Sequence, residues 1–129
     1  VKLEDVLHLY QAVGWTNYTN QPQMLEQALS HSLVIYLALD GEAVVGLIRL
    51  VGDGFSSVFV QDLIVLPSYQ RQGIGRALMK EALEDFKEAY QVQLATEQTE
   101  KNVGFYRSMG FETLSTYDCT GMIWVNREK

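Results

Sequence analysis

Cysteine is almost absent from this chain. Of 129 residues only Cys119 is one, so no internal disulfide can form. A fold that holds without such staples accords with a reducing compartment, and a cytoplasmic location is expected. Proline occurs only at Pro22 and Pro67, and no linker, repeat or low-complexity segment interrupts the chain. The two histidines, His8 and His31, stand on or beside helical stretches without metal-ligand spacing. They read as surface or packing residues, and no metal is expected. No apolar run approaches the ~18 residues of a spanning helix, so no membrane association is expected. Basic residues number ten against sixteen acidic ones, a net charge of −6, and phosphate backbones require a basic face. A nucleic-acid partner is therefore not expected. The acidic excess is compatible with a cationic acceptor such as an amine, and it also serves solubility.

What is present suits one domain over residues 1–129, since hydrophobic residues make up 47 %, the globular norm. Leu3, Val6, Leu7, Leu9 and Tyr10 predict a first helix over 3–12 that ends near Gly14. A polar turn over 17–20 precedes a second helix, which starts near Pro22 and turns Met24, Leu25, Ala28 and Leu29 inward. Strands are predicted over 33–39 and 43–51, joined at Asp40-Gly41, and over 57–65 after the turn Gly52-Asp53-Gly54. A helix over 76–90 follows, its apolar face running Leu78, Met79, Ala82, Leu83, Phe86 and Tyr90. Then come a strand over 92–96, a helix over 99–109 with a left-handed cap at Gly110, and two last strands over 111–117 and 122–125.

The stretch Gln70-Arg71-Gln72-Gly73-Ile74-Gly75 lies where a strand, after a break at Pro67-Ser68-Tyr69, gives way to the long helix. At a helix N-terminus several backbone N–H groups lack intrahelical partners, and the macrodipole is positive there. Two glycines let an anion reach those donors, and Arg71 and Arg76 add full charges. Two readings stand side by side, a phosphate site and a Gly-rich turn that merely starts a helix. A dinucleotide fingerprint would need a third glycine where Leu78 stands, and a Walker A loop needs a spacing the chain does not have.

The signature Q/R-x-x-G-x-G/A, met by Gln70, Gly73 and Gly75, resembles that of the GNAT (general control-type) N-acetyltransferases. Two further stretches share the likeness: the strand Leu63-Ile64-Val65-Leu66-Pro67 and the late segment Phe105-Tyr106-Arg107-Ser108-Met109-Gly110-Phe111. Their order and spacing follow the family pattern over roughly residues 33–126. The resemblance implies an α/β (α+β) fold with a mixed, mostly antiparallel sheet, helices on both faces and a splayed strand pair forming the acyl-CoA cleft. It also implies a further strand ahead of the first helix, which would lie before Val1, missing or clipped from this chain.

By the same resemblance the co-substrate is acetyl-CoA. Gln70, Arg71, Gln72, Gly73, Ile74, Gly75 and Arg76 would grip its pyrophosphate. The backbone of Leu63, Ile64 and Val65 would pair with the pantetheine arm. Tyr106 would be the general acid that protonates the departing thiolate, a phenol of pKa about 10 facing a thiol of about 8.5. Its other reading is a tyrosine that packs a helix on the sheet. Where many members carry Asn, this chain has Thr99, which can cap its helix and reach the cofactor less far. The strand position that holds a Glu in histone-type members is Phe59, which cannot take a proton. Asp62 and Glu97 are the remaining candidates for the base, each also readable as an exposed or acceptor-positioning carboxylate.

Trp15 and Tyr18, aromatics in a polar segment on the acceptor side, are expected to bind the acceptor or else to cover the edge of the core. The expected activity is direct transfer of an acetyl group to the primary amine of a small molecule or peptide. The alternative is a non-catalytic acyl-CoA-binding regulatory or scaffold module. C-terminal strand edges could also pair two copies as a homodimer.

Overall fold

The computed structural model describes residues 2–126. It divides into two units, Val1–Ala95 and Thr96–Lys129. The first holds α1 (Leu3–Ala12), α2 (Thr16–Thr19), α3 (Pro22–Ser30), β1 (Val34–Asp40), β2 (Ala43–Gly52), β3 (Ser57–Val65), α4 (Ile74–Asp85) and β4 (Gln91–Leu94). The second holds α5 (Glu100–Arg107) and a 3-10 turn over Leu114–Tyr117.

In the first unit the strands lie in the order β1-β2-β3-β4. β1 and β3 both run antiparallel to β2, and β4 runs parallel to β3. Apolar residues run along both faces of β2, from Val44 to Leu50, which marks it as the strand covered on both sides. Leu47 joins Val6, Leu9, Tyr10 and Leu25 in one apolar cluster, so α1 and α3 cover that face. One residue earlier a Cβ on Gly46 would stand 3.2 Å from the Ile74 side chain, so α4 lies on the opposite face. Helices thus cover both faces, as expected. Leu9, Leu25, Leu47, Ile48, Leu50 and Ile64 are buried within 2 % of complete. Each such side chain contributes roughly 1.5–3 kcal/mol on leaving water.

Helix α1 and strand β3 span the residues the sequence pattern predicts. The long helix does not. It runs from Ile74 to Asp85, and Tyr90, expected on its apolar face, is instead exposed in the turn before β4. There its backbone N–H donates to Phe55 O at 2.8 Å, so docking onto the β3 loop ends the helical register. The polar segment after Gly14 winds into the single turn of α2 rather than staying irregular.

In the second unit Thr99 caps α5, its Oγ1 accepting from Asn102 N–H at 3.1 Å. Gly110 closes the helix at φ +99°, the left-handed cap expected of it. The two last strands are not formed. Residues 114–117 coil into the 3-10 turn, closed by Asp118 at φ +58°, and residues 121–126 are irregular. Met122, Ile123 and Trp124 stand 85–95 % exposed. Apolar, β-branched residues favour a strand only when another strand supplies the ladder, and among the described residues the backbone bonds of this stretch are local.

Candidate active site

β3 changes partners part-way along its length. Its edge pairs with β4 only from Ser57 to Val60, while its other edge stays paired with β2 as far as Val65. The change falls at Gln61, the extra residue where the β2 register steps from Leu50↔Val60 to Arg49↔Asp62. Beyond this fork, among the described residues, the backbone groups on the β4 side meet no strand. Leu66 N–H donates to Val45 O at 2.9 Å. In an antiparallel ladder alternate residues turn both backbone groups the same way. Ile64 therefore faces β2 with Leu66, while Leu63 and Val65 turn toward the open side. Of the three residues expected to hold pantetheine, two turn their backbone groups to this open side.

The loop of the signature closes the end of that open edge. A 3-10 turn over Pro67–Tyr69 leads into it, and the Gln70 side-chain amide reaches back to donate to Val65 O at 3.1 Å. Gln70 thus ties the loop to the strand. Arg71 (φ +66°) and Gly73 (φ +83°) both take the left-handed conformation. For an L residue with a long side chain such as Arg71 that is a strained position held by its surroundings. Gly73 is the N-cap of α4, and no side chain caps the helix. A Cβ on Gly73 would meet nothing within 4 Å. α4 therefore starts, at the positive end of the helix, on a residue with no side chain of its own to cap it, and Gln72 lies in the same turn.

On the α1 face of the same strand lies a polar cluster inside the apolar core. Asp62, a candidate base otherwise readable as an exposed or acceptor-positioning carboxylate, is 3 % exposed. Its Oδ2 accepts from Tyr10 Oη at 2.8 Å and from Arg49 Nε at 2.7 Å, and its Oδ1 accepts from Tyr18 Oη at 3.1 Å. Both oxygens are thus engaged. Arg49 also donates to Ser32 Oγ at 3.2 Å and to Tyr18 Oη at 3.4 Å. Gln61 Nε2 lies 3.5 Å from the same Tyr18 oxygen. Burial raises the pKa of both tyrosines, and the Asp62 charge adds to it. Burial works against the Arg49 charge, but Asp62 outweighs it and the guanidinium pKa is raised. The rings of Tyr10, Trp15 and Tyr18 pack together with centroids 5.2–6.2 Å apart. The structure therefore brings Trp15, Tyr18 and Asp62 into one group.

Arg49, Tyr10 and Gln61 belong to this cluster and were not singled out from the sequence. A signal existed for Arg49, the one charge within the apolar run Ala43–Gly52. Burying a lone guanidinium costs several kcal/mol, so a carboxylate on a neighbouring strand was called for.

In the second unit Tyr106 stands half-buried on α5 between the rings of Phe105 and Phe111, at 5.0 and 5.9 Å. Burial alone raises its pKa, so the phenol keeps its proton at neutral pH. Thr99 spends its hydroxyl on the cap, and Glu97 is exposed just ahead of it.

An open strand edge running into an uncapped, glycine-opened helix N-terminus matches the geometry the signature implies. A family model described as an acetyltransferase (GNAT) domain matches residues 31–113, which spans β1 to the end of the Tyr106 segment. The chain belongs to the GNAT acetyltransferase family. A solved GNAT family protein of Streptococcus pneumoniae is 89 % identical to this GNAT chain. The two superpose with a TM-score of 0.89 over 98 % of this chain and 92 % of that one. A Staphylococcus aureus structure is 25 % identical, with a TM-score of 0.79 over 95 % of this chain and 92 % of that one. Among curated relatives, the rice (Oryza sativa subsp. japonica) chloroplastic serotonin N-acetyltransferase 2 is 35 % identical over 95 residues, or 70 % of this chain. The chain spans 48 % of that relative's own length. The mixed sheet with its covering helices is thus a GNAT fold, and the α/β class expected from the sequence holds.

Proposed function

We propose that this GNAT chain transfers an acetyl group from acetyl-CoA directly to a primary amine. The observation that carries the reading is the open edge of β3 at Leu63 and Val65 running into the uncapped N-terminus of α4. An extended arm with amide groups fits the first, and a pyrophosphate fits the second. Leu63, Ile64 and Val65 align the pantetheine arm. Gln70, Arg71, Gln72, Gly73, Ile74, Gly75 and Arg76 form the turn that takes the anion, and Thr99 lies at the start of the helix that carries Tyr106.

In the reaction the amine nitrogen attacks the thioester carbonyl carbon, the C–S bond breaks and an amide forms. The Val65 N–H supports charge on the carbonyl oxygen. Tyr106 gives its proton to the departing thiolate and regains one from solvent. The amine proton leaves to water held by the exposed Glu97. Asp62, with both oxygens hydrogen-bonded, acts on the acceptor through its partners rather than as the base. The name of the rice relative supports an amine acceptor, and the net charge of −6 accords with a cationic one. A single cysteine accords with a reducing compartment such as the cytoplasm.

The test measures thiol release from acetyl-CoA over a panel of arylalkylamines, polyamines and amino acids, with a thermal shift by acetyl-CoA alone. Turnover with any amine upholds the reading. Stabilisation by acetyl-CoA without turnover turns the chain into an acyl-CoA-binding module, and no stabilisation at all removes the donor assignment.

A further inference from the structure

A tyrosine hydroxyl has one proton and two lone pairs, and what it can offer a ligand depends on where that proton is committed. The Tyr18 proton is committed to Asp62 Oδ1, at 3.1 Å. That carboxylate is itself fixed by Tyr10 and Arg49, at 2.8 and 2.7 Å, inside the core. Arg49 Nη2 also lies toward the Tyr18 oxygen, at 3.4 Å. Tyr18 is therefore left as an acceptor only. The oxygen of this half-buried residue is also located at a particular point of the sheet. It is tied to Asp62 and approached by Gln61, the two residues at which β3 parts from β4.

We infer that Tyr18 is the residue that receives the acceptor amine at the fork of the sheet, with the exposed Gln61 amide holding its place until the amine arrives. This rests on the acetyltransfer reading above. The Gln61 contact, at 3.5 Å, lies outside the usual N–H···O range of about 2.7–3.2 Å and is easily given up. An amine N–H supplies the same kind of donor. A carboxylate or phosphate would face the Tyr18 lone pairs with its own. The site thus selects N–H donors over anions. Arg49 and Tyr10, which do not reach solvent, are positioning residues that set the Tyr18 proton direction through Asp62.

Tyr18→Phe keeps the ring that packs on Tyr10 and Trp15 and removes only the oxygen. It is expected to raise the amine KM about 10-fold or more while leaving the acetyl-CoA KM within about 2-fold, because a hydrogen bond to a charged group is lost on the acceptor side alone. Calorimetric binding of the amine to CoA-saturated protein is expected to weaken in parallel. Asp62→Asn offers an amide donor to Tyr18, turns its proton outward and is expected to raise the amine KM likewise. Should that variant not fold, Tyr18→Phe and the calorimetry decide. An unchanged amine KM and affinity in Tyr18→Phe, with the wild type turning over, overturns this inference and leaves the acetyltransfer reading intact. So does an equal rise in both KM values. A wild type that takes no amine overturns both together.

Discussion

Arg49 on β2 and Asp62 on β3 stand directly opposite one another in the ladder, and their side chains join at 2.7 Å with 5 % and 2 % of their surface exposed. An ion pair so deep in a sheet costs much of its own attraction in lost hydration, and replacing such a pair by apolar residues is often neutral or stabilising. Its presence between two apolar faces is explained by what it orients: two tyrosine hydroxyls, one of them at the mouth of the sheet's fork.

Removing one partner leaves the other buried and unpaired. Arg49→Met is expected to destabilise the protein by about 3–5 kcal/mol. The double variant Arg49→Met/Asp62→Leu should recover much of that loss. Urea denaturation of the two variants and the wild type measures both effects. A double variant no more stable than the single one would show that the pair is held by something other than mutual charge.

Gly73→Ala separates strain from binding. At φ +83° an L side chain costs about 1–2 kcal/mol, while the added Cβ strikes nothing within 4 Å. Gly41 is a matched control, left-handed at φ +62° with equally open space, in the β1–β2 turn. Both alanine variants should lose similar stability. Only Gly73→Ala should weaken acetyl-CoA binding, by about 10-fold in calorimetry, since its Cβ would stand where the pyrophosphate needs the first N–H groups of α4.

Tyr106→Phe preserves the packing between Phe105 and Phe111 and removes the proton. With both substrates saturating, kcat should fall by about 100-fold, the range of a lost general acid. The acetyl-CoA affinity should stay within about 2-fold. An unchanged kcat would assign Tyr106 to packing.

Alkaline pH should unfold this protein through its buried phenols. The Tyr10 pKa in the fold lies above its ordinary 10, raised first by burial and then by Asp62. The folded state therefore holds the proton more tightly than the unfolded chain. Its stabilising share is complete below pH 10 and is lost as the pH rises from there toward the folded value. The slope approaches about 1.4 kcal/mol per pH unit for one such group. Equilibrium denaturation from pH 9 upward should show it, and Tyr10→Phe should flatten it.

The loop and helix start of the candidate donor side were legible because they are written in contiguous residues. Gln70 to Gly75 carry a turn, a left-handed glycine and a helix start, all properties of neighbouring backbone, and β3 and α1 are set by local periodicity. The Tyr106 helix and its Gly110 cap are local in the same sense. The partnership of Arg49 with Asp62 was not legible, because it depends on a register that steps at Gln61, and a one-residue step decides which side chains share a face. Residues 111–117 and 122–125 failed as strands for a related reason. Their composition expresses a preference that a ladder must complete, and the ladder is a property of another segment.

By itself, then, the sequence determined the family, the glycine turn that starts α4 and the order of the main elements, since each follows from residues within a few positions of one another. Only the tertiary structure decided that Asp62 is buried and fully hydrogen-bonded, that Tyr18 is left to accept rather than donate, and that β3 opens at Gln61. Those outcomes rest on hydrogen bonds between residues 13 to 52 positions apart, and such bonds exist only once the sheet has chosen its register.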